Sequence, residues 1–218
     1  MPKLYSYCIP VDDGAAPNPF GECCTLVICK PVIRRIAQVG DWIVGTGSMK
    51  FGFQNKVVYA MEVTQKMTME EYDSYCQLHL PWKIPNFQSE NIEERLGDCI
   101  YDYSVNPPLI RESRHDEGNR KTDLGGMYAL LSNHYYYFGK NPIDLPERLL
   151  KIVKQGQGHK SSSNDAYFEE FVTWITAFKK PMNNINTSLY EELLNDKNKC
   201  GAKRRCVAEE DEQIGDEC

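Results

Sequence analysis

The segment from Gly40 to Thr64 constrains the fold of this chain most strongly, because it reads as two strands joined by one short loop. A turn at Val39-Gly40-Asp41 is followed by an apolar strand over Trp42 to Thr46, and Lys56 to Thr64 forms a second strand rich in β-formers. Gly47 to Gln54 connects the two strands. The chain is therefore expected to fold as an α+β domain organised around this strand–turn–strand unit.

Further strands and helices are predicted on both sides of the unit. The strands are expected over residues 3–9, 23–29, 97–103 and 109–110, with a final strand pair over 128–131 and 135–139; the helices are expected from residue 31, and over 69–78, 146–153, 164–178 and 188–195. Thr68 and Glu71 have the spacing of a capping box, which fixes the start of the second helix. The short helix from Pro31 is expected to turn Arg34 and Arg35 outward, and residues 111–126 read as a long polar loop.

Length and composition favour one core. The chain has 218 residues, of which 41% are hydrophobic, enough for one sizeable domain and too few to expect two. We expect that domain over residues 1–180, followed over 181–218 by a helix and an acidic, disordered tail. The longest apolar runs are far shorter than the roughly 20 residues of a membrane span, and residues 1–10 lack the apolar region of a secretory signal, so no membrane contact and a cytoplasmic location are expected.

Charge and cysteine spacing narrow the function classes. A net charge of −6 argues against a protein that coats duplex DNA through phosphate contacts. Half of that excess lies in residues 200–218, where six acidic residues outnumber three basic ones and could recruit a protein partner. The nine cysteines form no C-x-x-C pair, so we expect reduced, structural thiols such as Cys8 and Cys29 in apolar stretches. Neither a metal nor a cofactor is predicted.

Three motifs carry both a functional and a structural interpretation. The Gly45-Thr46-Gly47-Ser48 run could present amides and hydroxyls to an anion, or simply close a hairpin; it lacks the Gly-Lys-Ser/Thr of a P-loop. Asn18, before a proline, could read a base edge with its amide or initiate a turn. His159, in a glycine-rich loop, could be an acid or base with Asp41 as its companion, or a local cap. His115 is a weaker candidate in the long polar loop.

Several short pieces of the chain carry a resemblance. They are Leu4-Tyr5-Ser6-Tyr7, Ala16-Pro17-Asn18-Pro19-Phe20, Cys24-Thr25-Leu26, Cys29-Lys30-Pro31, Ile33-Arg34-Arg35, Val39 to Ser48, Val58-Tyr59-Ala60-Met61, Gly97-Asp98, Tyr136-Tyr137-Phe138-Gly139 and Gly156-Gln157-Gly158-His159. Together, over about residues 3–178, they resemble the nucleotide modification associated domain 2 family, and the core also looks like PUA-like domains of the EVE and ASCH groups. The resemblance implies a PUA-like mixed β-barrel with flanking helices and a role beside systems that modify bases in DNA.

The resemblance also implies a site. EVE and related domains hold a modified base in an aromatic-lined pocket, where each stacked ring contributes roughly 1–3 kcal/mol. Residues with the side chains or backbone groups for base binding are Tyr5, Tyr7, Asn18, Phe20, Trp42, Gly45, Thr46, Gly47 and Ser48. Residues with a cation for phosphate are Lys30, Arg34 and Arg35.

The favoured hypothesis is therefore a binding module for a modified base or nucleotide in nucleic acid. Two alternatives stay open. One is an enzyme that hypermodifies a base, with His159 and Asp41 as its catalytic pair, although the G-x-S-x-G, H-E-x-x-H and zinc-deaminase signatures are missing. The other is a protein-interaction adaptor that uses the acidic tail.

Overall fold

A computed structural model describes residues 1–49 and 52–178. The helix predicted over 188–195 and the acidic tail lie outside these residues. In chain order the strands are β1 (Leu4–Ile9), β2 (Cys24–Leu26), β3 (Trp42–Gly47), β4 (Lys56–Glu62), β5 (Gln65–Thr68), β6 (Tyr101–Asp102), β7 (Leu109–Ile110), β8 (Tyr128–Ser132), β9 (Tyr135–Tyr137), β10 (Ile143–Asp144) and β11 (His159–Lys160). The α-helices are α1 (Pro31–Ile36), α2 (Met69–His79), α3 (Ile92–Arg95), α4 (Arg120–Gly125) and α5 (Phe168–Thr176). Short 3-10 helices cover Pro81–Lys83, Glu117–Asn119, Glu147–Ile152 and Ser162–Tyr167.

The largest sheet contains the predicted strand–turn–strand unit. Its strands run in the order β10-β4-β3-β1-β11, and β9 also pairs with β4. β3 and β4 form the expected antiparallel hairpin, with a bulge after Gly45, whereas β1 and β3 run parallel. The parallel pair places the carboxyl ends of β1 and β3 at the same edge of the sheet.

Two smaller sheets complete the β-structure. One has the order β2-β8-β5, and the other contains β6 and β7. The mixed α+β class is thus confirmed. Within the described residues no sheet closes on itself, so the PUA-like barrel is not confirmed.

The strands predicted over 128–131 and 135–139 are present as β8 and β9, but the prediction that they pair with each other is wrong. β8 pairs with β5 and β2, whereas β9 pairs with β4 in the large sheet, so the chain changes sheets between them. The turn between them explains the change, because Ser132 and Asn133 bond across to the β4–β5 connection and to His134 instead of closing a hairpin. The missed strand β5 supplies the partner that β8 needs.

One loop prediction and two helix predictions also need correction. The loop over 111–126 contains a capped 3-10 helix and α4, since Asp116 accepts from the Gly118 amide and starts the turn. The predicted helix over 146–153 is a 3-10 helix. Asn164 does not cap a long helix; its amide donates to the carbonyl of Leu4 at 3.0 Å, and α5 begins only at Phe168.

The core lies on both faces of the large sheet. Because side chains alternate along a strand, Tyr5 and Tyr7 share one face, as predicted, and join the larger hydrophobic cluster. Leu4 and Trp42 face the other way and pack in a second cluster with Phe171 of α5. The prediction that Arg34 points outward is wrong, because its side chain has no exposed surface.

Candidate functional site: a cleft at the ends of β1 and β3

A cleft of about 820 Å³ opens where the parallel strands β1 and β3 end. Residues 7–11 and 47–49 form its floor, and the walls are the turn over 28–31, the segment 114–115 and the segment 153–157. Ligands of open sheets with parallel strands commonly bind at the carboxyl ends of those strands. The cleft therefore lies at the edge of the sheet where this rule places binding sites.

The cleft is apolar with a small excess of positive charge. Its described lining contains three cations, Lys30, Arg114 and Lys154, against the single carboxylate of Asp13. The Lys30 ammonium lies 4.8 Å from the centre of the Tyr7 ring, a cation–π distance. This excess contrasts with the net charge of −6 for the whole chain.

Arg114 is the most deeply placed of these cations. Its guanidinium donates to Asp13 at 2.7 Å, and both side chains are nearly buried. The buried Nε of Arg114 has no acceptor among the described residues. Buried donors are usually satisfied by protein or by ordered water, so this Nε–H is a donor that a water or a ligand oxygen in the cleft can satisfy.

An unusual backbone turn forms one wall. Cys29 and Lys30 both have positive φ, 59° and 39°, directly before Pro31 opens α1. Such conformations cost roughly 1–3 kcal/mol per non-glycine residue and persist only where neighbouring contacts impose them. Here Arg34 supplies those contacts, because its Nε donates to the Cys29 carbonyl at 2.8 Å and its Nη1 donates to the Val27 carbonyl.

Arg34 and Asp123 form a buried frame behind this turn. The Arg34 guanidinium also donates to the carbonyls of Asp123 and, at 3.2 Å, Tyr128. Burial lowers the pKa of Arg34 to about 10, which still leaves the group charged at neutral pH. One Asp123 carboxylate oxygen accepts from the Cys29 amide at 3.0 Å. The turn is thus fixed from both sides.

The other Asp123 oxygen accepts from His115. The distance from Nδ1 of His115 to Oδ2 of Asp123 is 2.6 Å, and the Tyr101 hydroxyl donates to the same oxygen at 3.2 Å. Burial, and then the Asp123 charge, raise the pKa of Tyr101, so its phenol keeps its proton. Because a carboxylate can only accept a hydrogen bond, the proton between the two groups belongs to Nδ1 of His115. In the neutral imidazole Nε2 then carries the lone pair, on the side of the ring that faces away from Asp123.

Cys29 lies on that side of the imidazole. Its sulfur is 3.7 Å from Nε2 of His115, and both residues line the cleft. A cysteine, a histidine and an aspartate thus follow one another in space, and these are residue types from which a nucleophile, its base and the group that orients the base can be built. Cys29 is held in a disulfide in this structure, whereas Cys8, Cys23, Cys24, Cys76 and Cys99 are free.

Of the twelve residues predicted for base or phosphate binding, four line the cleft: Tyr7, Lys30, Gly47 and Ser48. Tyr5, Phe20 and Trp42 are buried in the hydrophobic clusters. Thr46 lies inside β3, where its hydroxyl donates to the Tyr7 carbonyl at 3.3 Å. The aromatic character of the predicted pocket is therefore represented in the cleft by Tyr7.

Gly45 and Asn18 lie outside the cleft lining and take part in the packing of the fold. A side chain at Gly45 would collide with Ile9 and Tyr59, so close packing requires the glycine. The Asn18 amide is buried, donates to the Leu96 carbonyl at 2.8 Å and accepts from the Lys83 ammonium at 2.6 Å.

The remaining predicted residues lie outside the cleft lining. Arg35 is exposed and donates to the Gly125 carbonyl. Asp41 accepts from the amides of Lys3 and Gln38 at 2.7 and 2.8 Å, which closes the turn before β3. His159 pairs with Tyr7 across β1 and β11, and no contact joins it to Asp41 among the described residues.

Sequence reasoning missed Cys29, Asp123 and Arg114. Cys29 looked like a small buried hydrophobe, since Val27 and Ile28 precede it. A usable signal was present in the cysteine two residues before a helix-starting proline, combined with the Arg114-His115 pair in a long polar connection. Pairing these with Asp123 requires the tertiary fold.

These features define an α+β protein with a cleft at the ends of two parallel strands. A family model described as nucleotide modification associated domain 2 matches residues 1–190, and the chain belongs to this family. The family name associates the chain with nucleotide modification. No curated protein and no solved structure matches it.

The described residues provide neither a membrane-spanning helix nor a cluster of metal ligands. None of their helices has both the length and the apolar character to cross a membrane. No group of three or more His, Cys, Asp or Glu residues in residues 1–49 and 52–178 could hold a metal ion.

Proposed function

We propose that the cleft binds a nucleotide or a nucleic-acid base that carries a modification. The observation that carries the proposal is the combination of apolar walls and excess positive charge in one cleft of nucleotide size. It also agrees with the family's association with nucleotide modification. In this role the domain would act as PUA-like readers do, although its described sheets form no closed barrel.

Size and charge support different parts of this ligand. Pockets for small organic ligands span about 300–1,000 Å³, so a cleft of about 820 Å³ has room for a base together with a substituent. Lys30 and Arg114 would face the anionic part, while Gln54, Gln155 and other amides of the lining can read polar edges of the base. Of the aromatic residues predicted to stack on a base, Tyr7 lines the cleft, and the Lys30 ammonium lies over its ring. Stacking therefore has a smaller role in this proposal than the sequence predicts.

Binding can be tested by calorimetric titration of nucleoside monophosphates, each in a plain and a modified form, with the parent nucleosides in parallel. We expect the modified monophosphates to bind more tightly than the plain ones. Lys30→Gln should weaken monophosphate binding about tenfold, or ~1.4 kcal/mol, because a charge-assisted contact is lost. The nucleosides should be affected less.

Lys3→Gln is the matched control, since it removes the same charge from an exposed position at the opposite end of β1. Equal losses in the two variants would reduce the effect to general electrostatics and contradict a phosphate contact in the cleft. Equal affinity for plain and modified nucleotides would contradict the recognition of a modification.

The enzyme alternative is favoured by one specific observation, the arrangement of Cys29, His115 and Asp123 inside the same cleft. These residues replace His159 and Asp41 as the stronger catalytic candidates. The adaptor alternative depends on residues 200–218, which lie outside the described residues.

A further inference from the structure

We propose that Cys29, as a reduced thiol, is the nucleophile of an acyl-transfer centre with His115 as its base and Asp123 as the positioning residue. The substrate class is a nucleotide or base that bears an amide, ester or thioester group. The choice of a nucleotide or base as the substrate rests on the function proposed above, whereas the assignment of nucleophile and base does not.

The geometry assigns each role. Nε2 of His115 is 3.7 Å from the Cys29 sulfur, a distance at which a reduced thiol can donate its proton. Asp123, which has no exposed surface, holds Nδ1 at 2.6 Å and so keeps the imidazole in the tautomer that accepts from the thiol. The same carboxylate binds the Cys29 amide at 3.0 Å, which fixes nucleophile and base relative to each other.

The turn presents the sulfur to the cleft. With positive φ at Cys29 and Lys30, the backbone reverses between β2 and α1, and both residues line the cleft. A backbone strained at a nucleophile is a recurrent way of placing it at the surface of a site. Arg34 maintains this turn from behind through its hydrogen bond to the Cys29 carbonyl and is not itself among the residues that line the cleft, so it belongs to the support of the centre.

The chemical steps balance without a cofactor. His115 removes the thiol proton as sulfur attacks the carbonyl carbon; a C–S bond forms, and the bond to the amine, alcohol or thiol of the substrate breaks as the imidazolium protonates that leaving group. Water or a second amine, deprotonated by His115, then attacks the thioester carbonyl and releases Cys29 as a thiol. No oxidant or reductant is consumed in this cycle. Reduction of the Cys29 disulfide precedes it, and a phosphine reductant serves this purpose in the assay.

Cys8 provides an internal comparison, because it also lines the cleft. Burial raises the pKa of Cys8, and no histidine hydrogen-bonds to it among the described residues. A thiol without a base reacts slowly at neutral pH. The two cleft cysteines should therefore differ sharply in reactivity.

The test is acylation of the full chain by p-nitrophenyl acetate in the presence of the phosphine. We expect a burst of nitrophenolate and one acetyl group on the peptide that contains Cys29, found by mass spectrometry, with Cys8 unlabelled. Cys29→Ala should abolish the burst, and His115→Gln should slow it about 100-fold or more and remove its dependence on a titrating base. Cys23→Ala, which removes a half-buried thiol outside the cleft, should behave as the unaltered chain.

Acetylation of Cys8 or of lysines at the rate of Cys29, or an unchanged burst in His115→Gln with an unchanged melting temperature, would overturn the proposal. If a variant misfolds, the acylation rate of the unaltered chain is measured as a function of pH. A rate that rises in proportion to hydroxide and reaches no plateau would exclude an imidazole base. Nucleotide titration of Cys29→Ala, compared with the acylation assay of the unaltered chain, tests the two proposals separately. Acylation without nucleotide binding rejects only the binding function, and binding without acylation rejects only the nucleophile.

Discussion

At the scale of a single side chain, Lys83 shows how this fold accommodates a charge away from water. Its ammonium has no exposed surface and donates to the Asn18 carbonyl, the Asn18 side chain, the Cys23 carbonyl and the Thr25 hydroxyl at 2.6–3.1 Å. Thr25 in turn donates to Asp98 at 2.6 Å. Burial raises the pKa of Asp98, and the Lys83 charge acts in the opposite direction. The network joins segments that are distant in sequence.

We expect Lys83→Met to lower the free energy of unfolding by about 3 kcal/mol, because Asn18 and Asp98 lose the cation that compensates their burial. Urea denaturation measures the change. The exposed Lys121→Met is the control and should stay within about 0.5 kcal/mol. A loss as small as the control's would mean that water replaces the ammonium.

Residue type alone misleads at such positions. Asn18 and Arg34 carry polar groups that the sequence assigns to ligands, yet both are buried and bonded to backbone. Sequence patterns record which groups are polar, whereas burial depends on the distant segments that cover them. Lys30, in contrast, lies in the lining of the cleft together with the glycine-rich end of β3, and its contact with phosphate stays a prediction.

At the scale of elements, α2 is defined by a local signal that the structure confirms. The Thr68 hydroxyl accepts from the Glu71 amide at 3.2 Å, and the Glu71 carboxylate accepts from the Thr68 amide at 2.7 Å. These hydrogen bonds lower the pKa of Glu71. The carboxylate therefore stabilises the fold fully above the unfolded-state pKa and loses that contribution as pH falls through the depressed folded-state pKa.

Thr68→Ala should cost about 1 kcal/mol of unfolding free energy at neutral pH. The cost should shrink in acid below the ordinary glutamate pKa of 4.5, because protonation of Glu71 weakens the 3.0 Å hydrogen bond from the Thr68 hydroxyl to the Glu71 carboxylate, which the variant lacks. Urea midpoints of both proteins at the two conditions test this. An equal difference at neutral and acid pH would show that the bond between the Thr68 hydroxyl and the Glu71 carboxylate contributes nothing.

Elements with local signals were predictable, and elements defined by distant partners were not. Apolar runs predicted β1, β3 and β4, since each strand carries its own pattern. β5 is a short, polar strand without an apolar pattern of its own, so the sequence does not predict its pairing with β8. In the same way, the contact of Cys29 with His115 spans 86 residues, and nothing in either local sequence encodes the other.

At the scale of the whole molecule, Arg34 connects parts of the chain that lie far apart. One guanidinium reaches the turn after β2, the end of α4 and the start of β8. Its planar fork satisfies several carbonyls at once, which a lysine cannot do. The wall of the cleft and the second sheet therefore depend on the same side chain.

Arg34→Lys should lower the free energy of unfolding by about 2–3 kcal/mol, since buried carbonyls lose their donors. The neighbouring Arg35→Lys makes the same change on an exposed residue and should have an effect of about 0.5 kcal/mol or less. Urea denaturation of both variants decides the point. Similar losses in the two would contradict the role of Arg34 as a connection.

The parallel pairing of β1 and β3 has a practical consequence. Residues 7–11, at one end of β1, enter the cleft, whereas Lys3 lies exposed at the other end. A six-residue strand separates the two by about 20 Å. A biosensor surface coupled through residue 3 would hold every molecule with its cleft turned toward the flowing solution, ready for a library of nucleotides.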